Sequence, residues 1–196
     1  CTSSAASDVY KRQILILYKK ILNMNNAFIN TTVTWLKYTG IEISKDSMSD
    51  NDFNIIRIKN VPIDRYKKIY SKVGFKYNWI GRLRISDSEL INIIHNDSVE
   101  IYFMKKNKKI IGFLELDYRE KKEIKIVHLG LLEEYIGLGY GKKLLKFAIQ
   151  RSYQLKIKPI TLQTNSLDHP NALKFYQRNG FEVYSRRNAK VIKAEK

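Results

Sequence analysis

The chain has 196 residues, 44% of them hydrophobic, 12% aromatic and 28% charged, which is ordinary globular composition and a length for one domain rather than two. Lysine and arginine number 36 against 19 acidic residues, a net charge of +17, but the 26 Lys and 10 Arg come with 26 Ile and 15 Asn, so the excess reads first as the bias of an AT-rich coding sequence and second as a local anion site. No run of about 20 uncharged apolar residues is present, so no membrane-spanning helix is expected, and one cysteine (Cys1) with three scattered histidines gives neither a disulfide framework nor a metal-ligand spacing.

Residues 3–13 match, residue for residue, the translation of a widely used sequencing adapter. Residues 1–13 are therefore expected to lie outside the domain, and 14–30 form an extension that the pattern leaves open. Residues 33–38 read as a strand, followed by a polar loop through 44–51. In 53–59 Phe53, Ile55 and Ile58 alternate with polar neighbours, a strand period. Ile63, Tyr66, Ile69, Tyr70 and Val73 fall at helical spacing, and Gly74 closes that helix. Residues 75–84, rich in aromatic and basic side chains, read as a loop. Ser86 and Glu89 have the spacing of a capping box, each side chain reaching the other's backbone N–H. The helix this box opens buries Leu90, Ile93 and Ile94.

Val99, Ile101 and Phe103 then alternate with Glu100, Tyr102 and Met104, and 110–118 follow a turn at Asn107, which predicts a hairpin. Lys105, Lys106, Lys108 and Lys109 look like its solvated tip. A strand over 123–132 comes next. After a break at 137–141 a helix runs to about residue 153, with Leu144, Leu145, Ala148 and Ile149 as its apolar face. Residues 160–164 form a strand. Pro170 suits the first turn of a further helix, where its missing N–H costs nothing. Ala172, Phe175 and Tyr176 face inward there, and Gly180 sits where a left-handed C-terminal cap is wanted. Residues 181–184 are the last strand, and 191–196 a basic tail. Without repeats or linkers, the pattern is one α/β domain over 31–190.

The segment Gly137-Leu138-Gly139-Tyr140-Gly141-Lys142 joins a strand to a helix. Glycines let the backbone turn tightly and approach a ligand closely. The N–H groups at the following helix N-terminus then favour an anion such as a pyrophosphate. Lys142 and Lys143 oppose the helix dipole, a conflict that a bound anion relieves. A plain tight turn also fits this spacing. The P-loop pattern fails because Lys143 follows Gly141-Lys142. The dinucleotide-binding pattern fails because the third glycine is one residue early and the loop lies late in the chain.

With Leu129-Gly130-Leu131 before that loop and Leu167-Asp168-His169-Pro170-Asn171-Ala172, Phe175-Tyr176 and Asn179-Gly180-Phe181 after it, the chain resembles the GNAT superfamily of acetyl-CoA-dependent N-acetyltransferases over about residues 50–185. Tyr70, Val73-Gly74, Trp79, Arg82 and Ser86-Asp87 are similar to one bacterial, functionally vague branch of it. The resemblance implies a single domain of mixed α/β class. Its central, mostly antiparallel twisted sheet is flanked by helices and splayed between the fourth and fifth core strands.

It also implies an enzyme that moves an acetyl group from acetyl-CoA to a primary amine by direct attack. Leu129, Gly130 and Leu131 would pair with the pantetheine arm. The amides of Gly137, Leu138, Gly139, Tyr140, Gly141 and Lys142 would hold the pyrophosphate, and no metal is required. The family's acid, which protonates the leaving thiolate, maps to Tyr176, although spacing alone makes Tyr176 a core residue. The usual base position holds Lys125, which leaves Glu115 and His128 as candidates. The usual cofactor asparagine is His169, with Asn171 two residues on. A Gln or Arg often found near the loop is Ile136. Trp79 and Arg82 flank the acceptor side. The resemblance further implies a small-molecule or peptide amine as acceptor, no nucleic acid or membrane partner, a cytoplasmic location and a homodimer as one arrangement open to it. Two alternatives stand beside this reading: a CoA-binding module without catalysis, favoured by Lys125, and a basic nucleic-acid-binding protein, favoured only by charge.

Overall fold

The computed structural model describes residues 27–40 and 52–194. The adapter-like segment 1–13, most of 14–30 and the polar loop 44–51 lie outside the described residues. Seven strands form one sheet: β1 (Phe28–Tyr38), β2 (Asn54–Arg57), β3 (Val99–Lys106), β4 (Lys109–Asp117), β5 (Ile124–Leu131), β6 (Ile160–Asn165) and β7 (Phe181–Ile192), in the spatial order β2-β3-β4-β5-β6-β1-β7. Five α-helices accompany them among the described residues: α1 (Ile63–Gly74), α2 (Gly81–Arg84), α3 (Asp87–Ile94), α4 (Tyr140–Leu155) and α5 (Ala172–Arg178).

Local chemistry sets most of the elements. Asn107 and Lys108 take φ values of 47° and 66° and close the β3–β4 hairpin in two residues, the mirror-image turn that matches strand twist. Two of the four lysines at this tip are not simply solvated: Lys106 pairs with Asp52 at 2.7 Å and Lys109 with Glu134 at 3.0 Å. The capping box forms, with Ser86 Oγ accepting from Glu89 N at 3.3 Å and Ser86 N donating to Glu89 Oε2 at 2.9 Å. The stretch expected as a loop over 75–84 contains a turn of 3₁₀ helix and the short α2. Pro170 stands before the first turn rather than in it, because α5 starts at Ala172 with Asn171 at its N-cap position.

The sheet is covered on both faces. Tyr102 and Met104 of β3 join a core with α4, while Val99, Ile101 and Phe103 join a second core with α1 and α3. Both sets of alternating β3 residues are therefore buried, including Glu100, whose carboxylate is neutralised by Arg57 and Arg151. β1 lies between β6 and β7 and pairs antiparallel with both. β7 runs to Ile192, well past the expected end at residue 184. Its last half is a polar edge strand whose order comes from pairing with Phe28–Trp35 of β1, not from an apolar face. Every pairing is antiparallel except β5–β6, joined by α4.

Candidate active site

β5 and β6 are hydrogen-bonded only where Ile124, Ile126 and Lys125 face Ile160, Leu162 and Thr161. Beyond that point β5 stays with β4 and β6 stays with β1, so the two strands part and leave a V-shaped opening. A cavity of about 540 Å³ fills it, within the range of small-molecule sites. Leu129, Gly130 and Leu131 of β5 form one wall, and Gln163, Asp168 and α5 form the other. Gly130 is required by packing: a Cβ there would lie 2.2 Å from Val73 Cγ1 and 3.4 Å from the Trp79 ring.

At one end of the cavity is the glycine loop. Gly137 and Gly139 both have φ of 85°, and nothing lies within 4 Å of where their Cβ atoms would be. Gly139 is the N-cap of α4, and no side chain caps that helix. Its first N–H groups therefore face the cavity without an internal partner, as helix geometry dictates. The positive end of the helix dipole is at this end, and the basic residues Lys142, Lys174 and Arg178 are among those lining the cavity. These features suit a phosphorylated group. Two loop residues point away from it. Leu138 is 62% exposed and contributes no side chain to the lining, while Tyr140 is buried with its hydroxyl bonded to Asp52 and Lys106. Only their backbone amides remain for the role expected of them. Lys143 lies over the rings of Phe53 and Tyr140. Asn171 and His169 line the cavity; Asn171 makes no side-chain cap bond, and its N–H donates to His169 Nδ1 at 3.1 Å.

Tyr176 lines the cavity from α5. Burial, and then the negative charge of Asp168, push its phenol well above the usual tyrosine range, so the group carries its proton throughout the physiological range and gives it up less readily than a free tyrosine. Trp79 also lines the cavity, its indole N–H donating to Asp168 Oδ1 at 2.9 Å.

Two expected site residues lie elsewhere. Glu115, expected as a base, is fully buried behind the β5 wall. It accepts from Tyr66 at 2.5 Å, pairs with Arg82 at 2.5 Å and faces His128 Nδ1 at 2.9 Å. Burial alone would raise its carboxyl, but the interaction with the His128 ring, the Arg82 charge and the Tyr66 hydroxyl outweigh it and hold the group down to about 2. A carboxylate so stabilised is a poor proton acceptor and cannot reach the cavity. Arg82, expected on the acceptor side, is used up in this ion pair, with only 15% of its side chain exposed. Lys125 pairs with Glu123 at 3.1 Å, and that hydrogen bond raises its ammonium further, which disqualifies it as a base.

His128 lies on β5 between the cavity-lining residues Val127 and Leu129. A register shift between β4 and β5 sets it opposite Glu115. Glu115 fixes Nδ1, and the ring packs 5.1 Å from Trp79. The side chain is 14% exposed but is not among those lining the cavity. Among residues that sequence reasoning missed, Asp168 and Gln163 both line the cavity. The only signal for Asp168 was its position in the segment 167–181.

Comparison with known proteins follows this geometry. The model of the Acetyltransferase (GNAT) family matches residues 66–181. An uncharacterized N-acetyltransferase, ycf52, of Pyropia yezoensis is 22% identical over 170 residues, covering 85% of this chain and 91% of that protein. A functionally unknown conserved protein of Staphylococcus epidermidis superposes with a TM-score of 0.59 at 17% identity over 91% of this chain, which spans 66% of that protein's length. A GNAT family acetyltransferase of Elizabethkingia anophelis with acetyl-CoA bound superposes with a TM-score of 0.54 at 20% identity, covering 69% of this chain and 80% of that one.

Proposed function

Because the chain belongs to the GNAT family of acetyltransferases, we propose that it transfers the acetyl group of acetyl-CoA to a primary amine in the cavity between β5 and β6. The observation that carries this reading is the parting of those strands beside an uncapped, glycine-lined helix N-terminus, with Tyr176 on the opposite wall. The backbone of Leu129 to Leu131 offers hydrogen bonds to an extended amide-bearing arm. The α4 N-terminus, with Lys142, receives the pyrophosphate.

The acceptor nitrogen attacks the thioester carbonyl carbon. The N–C bond forms, the C–S bond breaks, and the departing sulfur takes the phenolic proton of Tyr176. The amine's proton passes through solvent to His128 Nε2, whose ring Glu115 holds in place through Nδ1, an arrangement in which a buried carboxylate orients a general base. Of these two groups only Tyr176 lines the cavity, while His128 sits between the lining residues Val127 and Leu129.

Binding of acetyl-CoA without turnover is a second reading, favoured by the ion-paired Lys125 at the usual base position. Release of CoA thiol that depends on added amine separates the two. Amine-dependent release supports transfer, and saturable acetyl-CoA binding with no release under any amine supports the second reading.

A further inference from the structure

Five acidic residues of the described chain are not fully exposed: Glu100, Glu115, Asp117, Glu123 and Asp168. Four of them have cationic partners, respectively Arg57 with Arg151, Arg82, Arg119 and Lys125. Asp168 has none among the described residues. Its Oδ1 accepts from Trp79 Nε1 at 2.9 Å, and its Oδ2 accepts from Thr164 Oγ1 at 2.7 Å and Asn165 N at 2.9 Å. All three donors are neutral. They fix the carboxylate in place but leave its charge uncompensated, which is unusual in a chain of net charge +17 and costly in a partly desolvated site.

Among the described residues Asp168 is also the only acidic one lining the cavity; the basic lining residues Lys142, Lys174 and Arg178 belong to the glycine-loop helix and to α5. The cavity therefore has one anionic position beside the indole of Trp79. A carboxylate fixed at the N–H edge of an indole is a receptor for an ammonium group through a charge-assisted hydrogen bond. Asp168 and the proposed acid Tyr176 line the same cavity.

We propose that Asp168, with Trp79, anchors a positively charged group of the acceptor, so that the preferred acceptors are amines carrying a second cationic centre, of the diamine class. One ammonium is held by Asp168 while the other amine, neutral, attacks. Acceptors carrying a carboxylate, such as amino acids, are disfavoured by repulsion. This inference rests on the acetyl-transfer reading and gives it a substrate class.

The test compares putrescine, n-butylamine and γ-aminobutyrate, which share a four-carbon chain and differ in the far group. For the parent protein, kcat/KM for putrescine exceeds that for butylamine by at least roughly tenfold, the worth of a hydrogen bond to a charged group, and γ-aminobutyrate is the poorest. In Asp168→Asn the ratio of putrescine to butylamine falls to within about threefold, close to the limit of a lost charge interaction. A ratio from one preparation is insensitive to partial loss of folded protein. The parent's own preference requires no variant at all. Equal use of putrescine and butylamine by the parent, or an undiminished ratio in Asp168→Asn, overturns the proposal. Calorimetric binding of the same three compounds keeps the two readings apart. Discrimination in binding without any acetylation defeats transfer and sustains the anchor, and equal affinities defeat the anchor whatever the turnover.

Discussion

Tyr176 and Glu115 show how surroundings assign roles to two groups that sequence alone ranked together as catalytic. Tyr176 borders the cavity with its phenol kept protonated by burial and by Asp168. Replacing it by Phe keeps the ring and removes the proton. The expected outcome is a loss in kcat of at least tenfold, the low end of the roughly 10²–10⁴ typical of general acid catalysis because a thiolate leaves readily. Acetyl-CoA affinity, read by calorimetry, should change little; a parental kcat in Tyr176→Phe would return Tyr176 to the core. Glu115 looks like an exposed strand carboxylate in sequence, since nothing local reveals that Tyr66, Arg82 and His128 converge on it from α1, α2 and β5. Arg82 was misread for the same reason. Its neighbours in the chain are loop-like, and its partner lies 33 residues away. Asp168 was visible within a motif, but its lack of a cationic partner is a tertiary fact.

At the scale of elements, the legible parts were those specified by short-range chemistry: the capping box, the Asn107 hairpin, the apolar stripe of α4 and the glycine loop. β1 could be recognised as a strand, but its place between β6 and β7 could not, because pairing of Val33 with Asn165 and of Phe28 with Ile192, far apart in the chain, leaves no local trace. The polar half of β7 was missed because an edge strand with little to bury has no alternating pattern. The splay of β5 from β6 was expected from resemblance and is present as three paired positions followed by divergence. The glycine loop gives the sharpest element-level prediction. A ligand at about 100 times its Kd stabilises the folded state by roughly 2.7 kcal/mol, so acetyl-CoA should raise the parental Tm measurably. Gly139→Glu forces a side chain onto φ of 85° and puts negative charge at the α4 N-terminus. Its own Tm should fall, and the upward shift with acetyl-CoA should vanish. A variant that shifts as the parent does would mean the loop is not where the cofactor's phosphates bind.

Across the whole molecule, each face of the sheet holds one fully buried carboxylate with arginine partners: Glu115 toward α1 and Glu100 toward α4. For both, burial opposes ionisation and the hydrogen bonds and cations around them win, so both carboxyls are lowered in the fold, Glu115 to about 2. A lowered folded-state value means that the stabilisation is fully present above the ordinary carboxylate range and is lost as pH falls through the folded value. The Tm should hold from neutral pH to about 5 and then drop steeply toward pH 2–3. In Glu115→Gln the Tm should be lower at neutral pH, because Arg82 is left buried without its counter-charge, and its fall with acid should be shallower. A Tm that is flat between pH 5 and 3 would contradict this picture of the core. Lysines of several elements pair with acids on others, but each such pair sums to zero and the net charge of +17 is untouched by them. The cavity, with three basic side chains and one carboxylate among its described lining residues, is proposed to bring acetyl-CoA and an amine together. The most direct measurement is mass spectrometry of acetyl-CoA and putrescine incubated with the protein, with CoA thiol quantified in parallel. The account predicts putrescine heavier by one acetyl group, in step with thiol release and slowed at least tenfold in Tyr176→Phe; thiol release without acetylated amine, or no release although acetyl-CoA binds, would contradict it.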